Sequence, residues 1–212
     1  MAVYDLEEQE QIDTLKAWWN QHGKLVIAAA LAVVVAIGGF KAWQSYRHSQ
    51  ALQAAEIYGA LQKALQANDI AKVREAAGNL VENYSGSGYA TMAALLAARA
   101  NFAAGDAKNA IGQLQWVVEH AKEEEMRDVA RLRWAGILLD EKNYDEALRL
   151  AEAQHGAAFD ARYADLKGDV LAAQGKVAEA RSAYRVALDK SDAKSAYRGV
   201  IQMKLDALGD AK

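Results

Sequence analysis

Residues 25–40 read LVIAAALAVVVAIGGF, a run of sixteen residues without a charged side chain. As an α-helix the run would be about 24 Å long, somewhat shorter than the roughly 30 Å hydrocarbon core of a bilayer. Its length alone therefore also fits a buried helix of a soluble protein. A third alternative is a cleaved signal peptide, with residues 36–38 as a weak cleavage site. The acidic stretch that precedes the run is unlike the basic start of such a peptide.

The residues on both sides of this run favour a membrane span. Tryptophans and lysines flank it, as is typical of the two interfaces of a bilayer. The side chains that we expect to anchor the helix at these interfaces are Trp18, Trp19, Lys24, Lys41 and Trp43. We therefore predict a tail over residues 1–24, a transmembrane helix over residues 25–43 and a separate domain over residues 44–212.

Positive charges near the span do not decide its orientation. Lys16 and Lys24 precede the run, whereas Lys41 and Arg47 follow it, so the count on the two sides is equal. The positive-inside rule needs an excess on one side. On charge alone the orientation stays open.

The composition predicts that the domain is helical throughout. The chain of 212 residues contains no proline, and alanine and other good helix formers dominate it. It also lacks cysteine, which excludes disulfides and thiolate sites. The net charge of −3 argues against a nucleic-acid partner, since such proteins bind phosphates through clustered lysines and arginines.

Three similar stretches recur in the C-terminal half of the chain. They are GDAKNA at 105–110, KNYDEA at 142–147 and GKVAEA at 175–180. In each, a turn or capping residue precedes an alanine that begins a new apolar face. Twelve positions before those alanines lie Ala98, Ala135 and Gly168, all of them small. The spacing resembles the 34-residue tetratricopeptide repeat, whose two helices cross at small residues. The alternative is an irregular helical bundle with alanines spaced by chance.

Turn signals predict several boundaries in this domain. We expect a long helix to end near Ala67, a second to run from Ile70 to Tyr84, and a loop at residues 85–88. A final helix from Ala193 to Leu208 would cover the last repeat, as repeat arrays require.

Two further details concern single positions of the repeats. Asn143 and Glu146 fit a capping box at the start of the second helix of the middle repeat. Asn101 stands where such repeats usually carry an aromatic residue.

No catalytic, cofactor or metal site is predicted. The four histidines are scattered without the spacing of zinc ligands, and residues 85–88 lack the Lys-Ser/Thr pair of a phosphate-binding loop. We interpret Trp116 and Trp134 as core residues. Arg131 and Arg133 are interpreted as lone surface arginines, and the alternative is that they bind a carboxylate.

What remains is a surface for binding another protein. In tetratricopeptide-like arrays the first helix of each pair lines a concave face. The repeat alignment predicts that this face presents Met92, Leu95, Arg99, Phe102, Leu132, Leu139, Arg162, Asp165 and Asp169. A groove that mixes apolar anchors with charges of both signs suits a helix or an extended segment of a partner. The predicted fold is therefore all-α: one N-terminal transmembrane helix followed by a tetratricopeptide-repeat-like solenoid.

Seven stretches along nearly the whole chain carry a family resemblance. They are QIDTLKAWW at 11–19, GK at 23–24, GGFKAW at 38–43, YATMAAL at 89–95, YADLKGD at 163–169, ARSAY at 180–184 and QMKL at 202–205. In order and spacing they resemble the YfgM family, the ancillary subunit of the bacterial SecYEG translocon.

The resemblance implies a single-pass protein of the bacterial inner membrane, with a cytoplasmic N-terminus and a periplasmic repeat domain. It further implies association with the SecYEG translocon and with a membrane-anchored periplasmic chaperone of the parvulin type. It assigns no functional residues. The function that we expect is that of a non-enzymatic adaptor. Three alternatives stay open: a holdase that binds unfolded client proteins directly, a regulator that acts through its cytoplasmic tail, and an enzyme whose site the sequence does not reveal.

Overall fold

The computed structural model describes the backbone of residues 2–209 and the side chains of residues 10–209. Within that range the chain forms nine α-helices and one 3₁₀ turn, and no strand. The elements are α1 Ala2–Gln66, α2 Ile70–Asn83, α3 Gly88–Ala103, α4 Ala107–His120, α5 Glu124–Asp140, α6 Tyr144–Ala151, the 3₁₀ turn Ala157–Phe159, α7 Asp160–Ala173, α8 Val177–Lys190 and α9 Tyr197–Ala207. The all-α prediction is confirmed.

Two compact units divide between Leu52 and Gln53, within α1. The N-terminal unit is helical, and its most apolar window of eighteen residues has a mean hydropathy of 2.3 with none of it buried. By length and composition this helix is able to cross a membrane. Its exposed apolar side chains, such as Leu31 and Val35, gain a favourable environment in lipid but not in water.

The C-terminal unit is built from helices that pack on their neighbours in sequence. Contacts join α2 to α3, α3 to α4, α4 to α5, and so on to α9. In addition, α3 touches α5, and α5 touches α7. This places the first helices of successive pairs side by side, which is the arrangement of a repeat solenoid.

Small residues lie where the paired helices cross, as the repeat alignment predicts. The alanines at these crossings are at most 2 % exposed: Ala98, Ala110, Ala135, Ala147 and Ala180. Gly168 is buried as well. Trp134 is buried in the same core and Trp116 packs against it, so both tryptophans are core residues.

Most predicted boundaries agree with the structure. Helix α1 ends at Gln66, and Asn68 then adopts a left-handed conformation with φ of 53°. Asp69 begins the next helix, because its carboxylate accepts a hydrogen bond from the backbone N–H of Lys72 at 3.1 Å. Ser87 similarly caps α3 by accepting from the backbone N–H of Tyr89 at 3.2 Å.

The last helix begins four residues later than predicted, at Tyr197 instead of Ala193. The intervening residues form a turn in which Asp192 accepts two hydrogen bonds. Its side chain accepts from the N–H of Lys194 at 2.8 Å, and its carbonyl accepts from the N–H of Ser195 at 3.0 Å. Aspartate favours such local turns over a helical conformation.

The predicted capping box at Asn143 is not formed. Asn143 is the N-cap residue of α6, but its side chain makes no capping bond to the backbone. Its amide instead donates to the carboxylate of Glu146 at 3.1 Å. The backbone N–H of Asn143, from which Glu146 would accept in a capping box, instead donates to the carbonyl of Leu138 at 2.8 Å.

Candidate binding groove

A groove runs across the first helices of three successive pairs, α3, α5 and α7. Leu114 on α4, the second helix of the first pair, also contributes to the lining. The lining residues are Ala98, Arg99, Phe102, Leu114, Arg133, Gly136, Ile137, Leu139, Asp140, Leu166 and Asp169. Most of the lining surface is apolar, with charged groups placed around it.

The repeat alignment gives three groove residues equivalent positions in their helices. Arg99, Gly136 and Asp169 each follow the small residue at the helix crossing. The same register therefore presents a positive charge on α3, no side chain on α5 and a carboxylate on α7. A Cβ added to Gly136 would meet no atom within 4 Å, so the middle position is open space.

The charges of the groove differ in whether they already have a partner. Within the described part of the chain, Arg99, Arg133 and Asp140 take part in no ion pair or side-chain hydrogen bond. Asp169, by contrast, accepts hydrogen bonds from the ammonium of Lys204 at 2.7 Å and from the hydroxyl of Tyr184 at 2.8 Å. Two guanidinium groups and one carboxylate thus stay available for a ligand.

Four of the nine predicted groove residues line this groove together. Arg99 and Phe102 come from α3, Leu139 from α5 and Asp169 from α7. Phe102 is 38 % exposed, which leaves an apolar surface for contact with a partner. Whether these residues bind a partner stays a prediction.

The other five predicted residues lie outside the lining of the groove. Met92 is exposed, Leu132 is half-buried, and the guanidinium of Arg162 lies 5.5 Å from the ring centre of Tyr197. Leu95 and Asp165 are buried in the domain. These five side chains therefore do not belong to this groove.

A partly buried polar cluster adjoins the groove at Asp169. Lys204 on α9 donates to Asp165 and to Asp169 on α7, each at 2.7 Å. The hydroxyl of Tyr197 donates to the same oxygen of Asp165 at 2.5 Å. The other carboxylate oxygen of Asp165 is buried without a hydrogen-bond partner. Helix α9 is thereby held on α7 by an ion pair shared between two carboxylates.

The pKa values in this cluster follow from burial and the neighbouring charges. Burial raises the pKa of Asp169, and the hydrogen bonds from Lys204 and Tyr184 only partly oppose it. Burial alone would lower the pKa of Lys204, but the two carboxylates raise it above its ordinary value. Burial and the nearby carboxylates raise the pKa values of Tyr184 and Tyr197.

A second buried carboxylate fixes the loop between α6 and α7. Asp128 is fully buried and accepts from the guanidinium of Arg131 at 2.7 Å, the N–H of Gly156 at 2.9 Å and the hydroxyl of Tyr163 at 3.2 Å. His155 stacks on the ring of Tyr163 with 3.9 Å between the ring centres. The interpretation of Arg131 as a lone surface arginine is therefore wrong, and the alternative that it binds a carboxylate holds, with buried Asp128 on the same helix as the partner.

Comparison with known proteins places the chain in a family. The family described as a tetratricopeptide repeat-like domain matches residues 16–210. An ancillary SecYEG translocon subunit of Neisseria gonorrhoeae is 33 % identical over 209 residues, which cover 98 % of this chain and 100 % of the relative. The chain belongs to the YfgM family of ancillary SecYEG translocon subunits.

Two further members support the assignment to the YfgM family along the whole chain. The ancillary SecYEG translocon subunit of Haemophilus influenzae is 28 % identical over 87 % of this chain and 90 % of that protein. The Escherichia coli protein of the same description is 27 % identical over 98 % of this chain and 99 % of its own length. The resemblance noted in the sequence is thus confirmed.

One solved structure shares the fold of this YfgM-family chain. It is described as a MamA RS-1 ArsTM double mutant and superposes with a TM-score of 0.50 at 22 % identity, covering 72 % of this chain and 85 % of the other. At that identity the similarity concerns the repeat fold alone.

The long apolar helix and the translocon-subunit relatives fit a single-pass protein of the inner membrane. The five residues predicted as interface anchors, Trp18, Trp19, Lys24, Lys41 and Trp43, all have exposed side chains on α1. Among the residues whose side chains are described, no three His, Cys, Asp or Glu lie close enough together to hold a metal ion.

Proposed function

We propose that this YfgM-family protein is a membrane-anchored adaptor, which holds a partner protein beside the SecYEG translocon. The observation that carries the proposal is the similarity along the full length to proteins described as ancillary translocon subunits. A solenoid with an open groove and no predicted catalytic grouping suits binding of another protein better than chemistry.

The proposed topology assigns each part of the chain a side of the membrane. Residues 1–24 form a cytoplasmic tail, residues 25–43 span the inner membrane, and residues 44–212 lie in the periplasm. The aromatic and basic side chains at both ends of the apolar run support the position of the span. The apolar side chains of residues 25–40 are exposed, which further supports this position of the span. A helix that is surrounded by lipid does not need to pack against other helices.

The proposed partner of the repeat domain is a membrane-anchored periplasmic chaperone of the parvulin type. The groove supports this part of the proposal, because its exposed Phe102 and its free charges offer both contact area and specificity. Confinement of both proteins to one membrane raises their effective concentration, so a modest affinity is sufficient. Newly translocated proteins would then meet the chaperone where they leave the translocon.

Protease accessibility tests the topology directly. In intact cells the outer membrane shields the domain, whereas in spheroplasts an added protease should digest residues 44–212 and leave a fragment of the span. Protection of the domain in spheroplasts would place it in the cytoplasm and overturn the proposed position of the groove.

Co-purification after cross-linking in intact membranes tests the adaptor role. The full chain should recover both translocon subunits and a parvulin-type chaperone. Recovery of neither would overturn the proposal. If the chain instead recovers many unrelated unfolded proteins and no chaperone, the holdase alternative is the better account.

A further inference from the structure

We infer that the groove across α3, α5 and α7 takes an acidic amphipathic segment of the partner, in which a carboxylate side chain lies next to a large apolar side chain. This inference rests on the proposed function, since it names the chemistry of the segment that the adaptor would hold. It is carried by the charges and the open space of the groove.

The two free guanidinium groups are the first argument. Arg99 on α3 and Arg133 on α5 line the same groove, and neither has an ion-pair partner among the described side chains. Arginine binds carboxylates with paired, directional hydrogen bonds that are stronger than those between neutral groups. A segment with an acidic residue at this place gains such bonds, whereas a segment without one leaves both charges beside apolar surface.

The unpaired groups of the groove favour an acidic segment over a basic one. Two carboxylates also line the groove, but Asp169 already accepts hydrogen bonds from Tyr184 and from Lys204, which it shares with Asp165. Only Asp140 is left to oppose the two arginines. Among the described residues, the groove groups without a partner are therefore two guanidiniums and one carboxylate, and an acidic segment is able to pair with the guanidiniums.

The apolar part of the segment is defined by the space over Gly136. No atom lies within 4 Å of a Cβ added there, and Phe102 and Leu139 border the same groove. A large apolar side chain placed over Gly136 would lie in the same groove as both of them. The apolar contact supplies affinity, and the arginines fix which segments are accepted.

Site-specific photo-cross-linking in native membranes tests this chemistry. A benzophenone amino acid replaces Phe102 in the full chain, which keeps an aromatic ring at the position. After irradiation, mass spectrometry identifies the partner segment attached to it. We expect a segment with Asp or Glu within one helical turn of Leu, Ile, Met or Phe.

Charge reversal separates the role of the arginines from general disruption. The double variant R99E/R133E should lower the cross-linking yield about tenfold, the effect of losing a hydrogen bond to a charged group. The matched control is Arg185→Glu on α8, because Arg185 is exposed, lies outside the groove and has no ion pair among the described residues. That control should keep the yield unchanged. Reversal of the acidic residue in the identified segment to lysine should restore binding to R99E/R133E.

Several results would overturn the inference. These are a cross-linked segment that is basic or wholly apolar, a segment from a second copy of this chain, an unchanged yield with R99E/R133E, and no cross-link at all. If the same variant still recovers translocon subunits, the adaptor role stands and only the chemistry assigned to the groove fails. If the unmodified chain recovers neither translocon nor chaperone, the proposed function itself fails.

Discussion

The ring of Tyr184 occupies the place where any side chain on Gly168 would lie. A Cβ built on Gly168 would be 2.4 Å from Cε1 and 2.5 Å from Cδ1 of that ring. The ring has little freedom to move aside, because its hydroxyl donates to Asp169 at 2.8 Å. At this crossing α7 and α8 therefore require a glycine, where the two earlier pairs have alanine.

Replacement of Gly168 by alanine should destabilise the domain. Alanine favours the helix by about 1 kcal/mol, but the clash with Tyr184 is expected to cost about 3 kcal/mol, for a net loss of about 2 kcal/mol. Thermal unfolding of the purified chain in detergent, followed by circular dichroism, measures the change. The control is Gly112→Ala on α4, where an added Cβ meets nothing within 4 Å, and which should be neutral or stabilising. Equal effects of both variants would contradict the steric account.

Removal of the Asp128 carboxylate should be among the most damaging single changes. Asp128→Ala leaves Arg131 half-buried without its carboxylate and the N–H of Gly156 without its acceptor. A broken buried ion pair of this kind costs about 3 kcal/mol or more. Glu152→Ala is the matched control, because its ion pair with Lys167 lies at the surface and is worth roughly 1 kcal/mol at most. The same unfolding measurement should separate the two variants clearly, and similar losses would refute the role assigned to Asp128.

Replacement of Lys204 by methionine should loosen α9. The substitution leaves the buried Asp165 and the partly buried Asp169 without the cation that lies 2.7 Å from each. Hydrogen exchange should accelerate in Tyr197–Ala207 before the rest of the domain, because the ion pair joins this helix to α7. Lys194→Met, at an exposed residue of the preceding turn, should leave exchange unchanged. Equal acceleration of hydrogen exchange in all helices would contradict the prediction that the ion pair stabilises α9 locally.

Stability should fall steeply at alkaline pH. Burial raises the pKa of Tyr163 from its ordinary 10.0 to about 12. The unfolded chain therefore loses this proton first, and the free energy of unfolding falls by up to about 3 kcal/mol between pH 10 and pH 12. Tyr184, Tyr197 and Lys204 act in the same direction, since their pKa values are also raised in the folded state. Unfolding measured as a function of pH should show a plateau below pH 10 and a decline above it.

The matched variant for this pH dependence is Tyr163→Phe. It removes one of the groups that ionise on unfolding, so its stability should decline less between pH 10 and pH 12 than that of the unchanged chain. A decline of the same slope would show that Tyr163 does not contribute.

The fold was largely predictable because its determinants are local in sequence. Three signals predicted it: the run of apolar residues, the turn residues and the small residues at a regular spacing. Each of these signals depends only on residues that are close in sequence. The crossings at Ala98, Ala135 and Gly168 are buried as the spacing predicts. Even so, the sequence does not show why the third crossing has glycine, because the reason is the ring of Tyr184 on another helix.

The buried polar clusters were not predictable from local patterns. Asn101, which stands where an aromatic residue is usual, is buried and accepts a hydrogen bond from Arg74 at 2.5 Å, 27 residues away. Asp165 was predicted to face the groove, but it turns inward to Lys204 and Tyr197, more than 30 residues further along. The sequence did contain one signal for this cluster, because Asp165 and Asp169 lie one turn apart on α7. Like charges at that spacing repel each other unless a cation lies between them, which indicates a lysine or arginine nearby.

The central claim, that the protein is a membrane-anchored adaptor beside the SecYEG translocon, is tested most directly by cross-linking from its apolar helix. A photoreactive amino acid is placed at Leu31 or Val35, both exposed on α1, and the cells are irradiated with their membranes intact. A matched position at exposed Leu52, outside the predicted span, serves as the control. The account predicts adducts with subunits of the SecYEG translocon from at least one of the two positions in the span. Adducts only with lipid or unrelated membrane proteins from both positions would contradict it.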